Sequence, residues 1–331
     1  MSAWLERAEV SWRELARVSS SRGLRAQRIH EPGSRRPVGL WPLTQMLRAA
    51  VLLDWAGGYL GDLDARALWK ALGRYRRGPG YGDTPVTGGR HYDDNALIGL
   101  TAATRAVAHP DPALAQTWWR RAEDEMRYVA HGLTPTGGFR WDRNSMEEQA
   151  GATGAAGALA ASLEGAPRGA GDRWRSVAEA ATGFLSRDLV LPSGLIAEYR
   201  VGDTLSHVIH AHNQGYAIRL LVWRGDTGAA LELAGRAMNY FNPLRLWRSP
   251  AAYSAIMCRA LLTLDAVAPE PTGIPEYVEA YLEALWTRGR DDAGLFTRMG
   301  QYGHGSVLDH SAVVALMSAA ALPERSRALM W

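Results

Sequence analysis

The sequence predicts an all-α protein built as a single (α/α)6 barrel, and three observations carry that reading. Gly and Pro punctuation divides the chain into about twelve helical stretches, and none shows the β-branched alternation of a strand. The stretches also alternate in character, one kind charged along one face and the other apolar nearly all round. A ring of helices apolar on all sides buries its surface only against a second ring, so six outer and six inner helices joined as successive hairpins follow.

The outer set falls near residues 2–18, 62–77, 111–130, 172–188, 228–241 and 275–288. In the fifth, Ala230, Ala234, Ala237 and Phe241 form the apolar stripe while Glu232, Arg236 and Asn239 point elsewhere. The inner set falls near 41–56, 93–108, 147–163, 213–224, 251–266 and 308–321. Tyr216 to Trp223 carries only Arg219 as a charge, and Ala152 to Ala161 is largely Ala and Gly. Between the first outer and first inner helix lies a basic loop at about 19–40, whose stretch from Arg22 to Arg36, set among Ser, Gly and Pro, reads as a solvated arm.

One closed domain of 331 residues, 47% hydrophobic and 21% charged, accounts for the whole chain and excludes disorder and fibrous repeats. The 37 basic residues, all arginine except Lys70, interleave with 34 acidic ones for a net charge of +3. No long basic run marks a nucleic-acid footprint. The one cysteine, Cys258, forms no intramolecular disulfide and rules out a multi-cysteine zinc site. Glu6, Arg7 and Glu9 break any signal-peptide layout at the N-terminus, and no apolar run reaches the roughly 18 residues of a membrane span. A cytoplasmic protein without a membrane span is expected; the sequence leaves its oligomeric state open.

Inner helices of such a ring run in one direction, so the segments that precede them meet at one rim. These include Gly39-Leu40-Trp41-Pro42, Gly89-Arg90-His91-Tyr92-Asp93-Asp94-Asn95, Gly137-Gly138-Phe139-Arg140-Trp141-Asp142, His210-Ala211-His212-Asn213-Gln214-Gly215, Trp247-Arg248-Ser249-Pro250 and Gln301-Tyr302-Gly303-His304-Gly305. They are rich in Gly, aromatics and hydrogen-bonding side chains. Turns at the other rim, such as His109-Pro110-Asp111-Pro112, read as plain connectors. Aromatic faces beside amides and carboxylates suit sugar rings, whose C–H faces stack while their hydroxyls need donors and acceptors. Trp41, Tyr92, Trp141 and Tyr302 are the candidates to stack on a sugar, with Asn95, His212, Asn213 and Gln214 as hydroxyl partners. Core packing competes for each aromatic.

Two adjacent carboxylates, Asp93 and Asp94, open an inner helix. Their mutual repulsion raises one pKa while the helix N-terminus favours the other as an anion. That division of one ionised and one protonated carboxyl is what glycoside hydrolysis requires. The same pair also fits a helix cap with a favourable first-turn charge.

The residues resemble glycoside hydrolase family 76, the α-1,6-mannanases and their transglycosidase relatives. Tyr92-Asp93-Asp94-Asn95-Ala96, Gly137-Gly138-Phe139-Arg140-Trp141, Gly194-Leu195-Ile196 and Asn213-Gln214-Gly215 are similar to that family's motifs and stand in its order, over residues 40 to 320. The resemblance implies an (α/α)6 fold and a retaining mechanism. In that mechanism Asp93 is the nucleophile and Asp94 the general acid and then base, with no metal or organic cofactor. The expected partner is a carbohydrate, an α-linked mannoside or related glycoconjugate. The chain departs from the family at Asn144-Ser145-Met146-Glu147-Glu148-Gln149, at Ala197-Glu198 and at Cys258-Arg259-Ala260.

Two other readings stay open on the residues. His207, His210, His212, His304 and His310 would supply metal ligands, or His212 and His310 the paired bases of a sugar epimerase or isomerase on the same barrel. A catalytically inactive carbohydrate-binding protein would keep the rim aromatics with silent carboxylates.

Overall fold

The computed structural model describes residues 2–19, 37–61, 64–86, 88–166, 170–297 and 307–330. The body of the basic loop, at 20–36, and the segment 298–306 with Tyr302 and His304 lie outside the described residues.

The helices are α1 (Ala3–Ser19), α2 (Leu40–Trp55), α3 (Ala65–Leu72), α4 (Tyr92–Ala108), α5 (Pro112–Val129), α6 (Ala150–Ser162), α7 (Ala170–Gly183), α8 (Ala211–Trp223), α9 (Thr227–Tyr240), the short α10 (Pro243–Arg248), α11 (Ala251–Asp265), α12 (Ile274–Ala284), α13 (Val307–Ala321) and the short α14 (Glu324–Arg327). Helices α2, α4, α6, α8, α11 and α13 pack each against the next and α13 returns to α2, so the inner ring closes. Helices α3, α5, α7, α9 and α12 lie outside, each against the inner helix that precedes it. The sixth outer helix, α1, packs on α13, so the two ends of the chain complete the ring together. Its Leu5, Ala8, Trp12 and Leu15, spaced at helical intervals, are buried against the core. None of the described helices is long and apolar enough to cross a membrane.

Outer and inner helices start differently. Asp64, Asp111 and Asp226 cap α3, α5 and α9 by accepting from backbone N–H groups one turn in. The inner helices α2, α4, α6, α8 and α11 start at Gly39, His91, Gln149, His210 and Pro250, none of whose side chains caps the helix. Close ring packing depends on glycine. A Cβ on Gly215 of α8 would lie 2.7 Å from the Met257 Cα of α11, and one on Gly154 of α6 would lie 2.3 Å from the Tyr216 Cβ of α8.

Small sheets also form, contrary to the strand-free expectation. β1 (Arg76–Arg77) pairs with β2 (Gly80–Tyr81), and β3 (Glu148–Gln149), β4 (Tyr199–Val201) and β5 (Thr204–Leu205) form a three-stranded antiparallel patch. Ladders of two or three residues are too short to show alternation. The available signal was the Gly202-Asp203 turn, where Gly202 adopts φ +56°.

One clasp recurs four times on the rim where the inner helices start. The backbone N–H groups of Tyr81, Phe139, Ile196 and Phe296 are accepted by Asn95 Oδ1 (2.7 Å), Thr153 Oγ1 (2.8 Å), Gln214 Oε1 (2.9 Å) and His310 Nδ1 (3.1 Å). Each acceptor sits in the first turns of an inner helix, and each donor belongs to the loop that leads into it. The loop is thereby fixed to the helix it feeds, which fixes where the rim side chains point. His310 extends the device, because its Nε2 lies 2.9 Å from the Ser11 carbonyl of α1 and so fastens the seam of the ring.

Candidate active site

The inner-helix N-termini surround a cleft of about 590 Å³. Counted from each N-cap residue, the second, third and sixth positions face it. These are Trp41 and Pro42 on α2, Asp93, Asp94 and Leu97 on α4, Gly151 on α6, His212, Asn213 and Tyr216 on α8, and Tyr253 and Ile256 on α11. Asp83, His91, Trp141, Gln149 and Glu198 come in from the loops. On α4, α6 and α8 the fourth position turns away into the clasp.

That frame sorts the residues singled out from sequence. Asp93, Asp94, Trp41, Trp141, His212 and Asn213 come together around the cleft. Tyr92, Asn95 and Gln214 do not line it. The Asn95 amide is fully buried, donating to the Tyr81 and His91 carbonyls at 3.1 and 2.7 Å. Gln214 repeats the pattern on the Ile196 and His210 carbonyls at 2.9 and 3.1 Å. Both N–H donors and one oxygen lone pair of each amide are committed to backbone, and both side chains are buried away from the cleft lining, so neither is presented to a sugar hydroxyl. The Tyr92 ring packs beside Tyr128, with ring centres 5.5 Å apart, over the space left by Gly132. Expectation and structure part here because motif membership does not reveal which way a side chain leaves its helix. Tyr302 lies outside the described residues. Sequence reasoning did not single out Asp83, His91, Tyr216 or Tyr253 as site residues, although the offset from the N-cap would have found the last two. Glu148, one of the departures from the family, bonds Thr134 and Thr136 and pairs with Arg200 at 2.9 Å, outside the cleft lining.

Both aspartates open onto the cleft and are otherwise enclosed by protein, and their surroundings differ. Asp93 Oδ1 accepts from the Asp94 backbone N–H at 2.8 Å, and Trp141 lines the cleft with it. Burial pushes Asp93 up to about 6, against the lowering effect of that backbone bond, of nearby His91 and of Trp141. Asp94 has no such donors. Burial first, then the charges of Asp93 and Asp83, push it well above the usual carboxylate range. Asp94 therefore holds a proton that Asp93 gives up.

Across the cleft, the His212 ring lies 4.0 Å from Tyr253, whose other side meets Trp41 at 5.6 Å. Burial, helped by the charge of His210, lowers His212 to about 3, so its imidazole is neutral. Its Nδ1, the Trp41 Nε1 and both amide atoms of Asn213 are buried with no protein partner. Native proteins rarely leave such groups unmet, so these are the groups a polar ligand would satisfy. His210 pairs with Glu198 at 3.1 Å. Among the described residues no three His, Cys, Asp or Glu side chains gather as a metal site would require.

No family model and no curated protein matches the sequence. Solved structures do match. A family 76 glycoside hydrolase (mannosidase) from Bacteroides thetaiotaomicron VPI-5482 superposes with a TM-score of 0.83 at 17% identity, over 98% of this chain and 99% of that one. An α-1,6-mannanase of Salegentibacter sp. HEL1_6, an inactive variant with two consecutive Asp-to-Asn substitutions in complex with α-1,6-mannotriose, gives 0.78 at 16%, over 96% and 99%. A D-mannose isomerase gives 0.65 at 12%, over 97% and 98%. The chain has the all-α (α/α)6 fold of the family 76 glycoside hydrolases.

Proposed function

We propose that the protein is a retaining glycoside hydrolase acting on α-linked mannosides, with Asp93 as nucleophile and Asp94 as acid and then base. The observation that carries this is two neighbouring carboxyls in an open cleft with unequal surroundings, Asp93 accepting a backbone N–H that Asp94 lacks and Asp94 facing the charges of Asp93 and Asp83. Asp93, held ionised by its donors, attacks the anomeric carbon and forms a glycosyl ester. Asp94 delivers its proton to the departing glycosidic oxygen, then takes a proton from the water that cleaves the ester. Trp41, Trp141 and Tyr253 supply ring faces, while Asn213 and His212 meet hydroxyls with donor and acceptor atoms that the protein leaves free. No step calls for a metal or an organic cofactor. The mannoside preference and the α-1,6 linkage rest on the superposed structures, among them one whose ligand is α-1,6-mannotriose.

The isomerase reading needs two bases facing one sugar. His212 lies in the cleft, but His310 has both ring nitrogens committed, one to Phe296 and one to Ser11 at the ring's seam. That commitment favours the hydrolase. The test is incubation with 4-nitrophenyl α-mannoside and with α-1,6-mannotriose, following the first-formed anomer by NMR. Release of the α-anomer is the expected result. Absence of cleavage of both, or interconversion of free mannose and fructose, overturns the reading.

A further inference from the structure

His91 sits at the N-cap of α4, next to the dyad but outside the reacting pair, and its surroundings constrain it on every side. Its backbone carbonyl is bound by Asn95 Nδ2 at 2.7 Å. Its Nε2 lies 3.0 Å from Asp83 Oδ2, and its buried Nδ1 faces Asp142 Oδ2 at 4.0 Å. Its ring stacks on Trp141 with centres 4.0 Å apart and planes 14° from parallel. The backbone supports the stack, because the N–H of Tyr92, the next residue, donates to the Trp141 carbonyl at 2.8 Å. Gly89 makes the room, since a Cβ there would come within 3.0 Å of the imidazole.

We propose that His91 is a positioning residue of this site: its ring fixes the Trp141 indole beside Asp93, and its Nε2 holds the Asp83 carboxylate. The proposal rests on the hydrolase reading for its kinetic consequence only. Trp141 is 39% exposed at the cleft mouth, so without the stacked imidazole its indole would be free to swing into solvent. Asp83 also lines the cleft and its charge is felt at Asp94. One imidazole thus acts on both carboxyls through separate contacts. The charged and titratable groups around the pair are Asp83 and Asp142 from the loops, Asp93 and Asp94 from α4, Tyr216 from α8 and Tyr253 from α11.

The test uses His91→Ala, which removes the stacking ring and the Nε2 contact, His91→Phe, which restores a stacking ring alone, and Asp83→Asn, which keeps the shape and removes one charge. Carboxyl titrations of Asp93 and Asp94, followed by 13C NMR in the full protein, are compared with kcat and KM on 4-nitrophenyl α-mannoside. In His91→Ala the Asp93 midpoint is expected to rise by about one unit, with kcat down about twofold near pH 7 and about tenfold near pH 5, KM little changed, and most of the shift reversed in His91→Phe. In Asp83→Asn the Asp94 midpoint is expected to fall. Reversal by a ring without nitrogens separates the stacking role from a charge effect. An Asp93 midpoint unchanged in folded His91→Ala, or equally shifted in His91→Phe, overturns the proposal, as does an Asp94 midpoint unchanged in Asp83→Asn. If His91→Ala does not fold, His91→Gln, which also lacks the ring, is titrated instead against the same criterion. A wild-type protein inactive on mannosides would refute the hydrolase reading and leave the titrations to decide the role of His91.

Discussion

The carboxylate of Asp93 accepts a hydrogen bond of 2.8 Å from the backbone N–H of Asp94, so the second aspartate of the pair helps to keep the first one ionised. The bond also fixes the order of roles. A carboxyl that accepts from a helix N-terminal N–H is the better anion, and its neighbour, facing like charges, is the better acid.

Activity should therefore rise as Asp93 loses its proton near pH 6 and fall at higher pH as Asp94 loses its own. Asp94→Asn should lose the alkaline limb of the kcat/KM profile. It should also lose about 10²–10⁴-fold on a poor leaving group and much less on 2,4-dinitrophenyl α-mannoside, which departs without a proton. Asp93→Asn should be inactive on both. Profiles of the two variants against both substrates check the assignment, and equal losses on the two leaving groups for Asp94→Asn would remove it.

Asn95 and Gln214 should prove to be stability residues. Each ties a loop N–H and carbonyl to the helix it feeds, and Asn95→Ala would strand both groups of Tyr81 in the interior. The cost is about 2 kcal/mol or more, at roughly 1–3 kcal/mol for each buried group left without a partner. Thermal unfolding of Asn95→Ala and Gln214→Ala should show Tm lowered by several degrees, with Thr153→Ala, the single-bond version of the same clasp, affected least. Wild-type Tm in the first two would contradict the clasp.

How much of this was legible beforehand follows from what a sequence pattern encodes. Twelve helices and their division into two rings came through, because the pattern separates Ala152 to Ala161, apolar all round, from the one-sided stripe of residues 228–241. The pairing of Asp93 with Asp94 was legible because neighbours on a helix stay neighbours. The direction of a side chain was not. Asn95 and Asn213 are both amides in a motif, yet one serves the scaffold and the other faces the cleft, and only their offsets from His91 and His210 separate them. Asp83 and His91 were missed as site residues for another reason. They reach the dyad through a loop whose path is set by its clasp to α4, and no periodicity reports such a path.

Gly215 should tolerate no side chain. A Cβ there would meet the Met257 Cα at 2.7 Å and its N at 3.0 Å, and backbone, unlike the end of a side chain, does not step aside. Gly215→Ala should force α8 and α11 apart at a cost of about 1–3 kcal/mol, the range for overpacked interiors. Gly228→Ala, on outer helix α9 with nothing within 4 Å, is the control and should be neutral or slightly stabilising by helix propensity. Urea unfolding of the two variants checks the contrast, and equal midpoints would show that the ring is looser than this packing.

Glu125 should make the fold sensitive to alkaline pH. Its side chain on α5 is 2% exposed, with Oε2 lacking any partner, and burial pushes its pKa up to about 8, the charge of Asp124 adding to the rise and that of Arg76 opposing it. In the unfolded chain the group titrates near the ordinary glutamate value of 4.5. Between those two values the folded protein holds a proton that the unfolded chain has released, so stability falls as pH rises through this window and levels off above it. Glu125→Gln removes the titration while keeping the shape of the protonated acid. Relative to wild type, its Tm should be unchanged near pH 4 and higher by several degrees at pH 8. Parallel Tm curves for the two proteins from pH 4 to pH 9 would mean that Glu125 is solvated in the folded state.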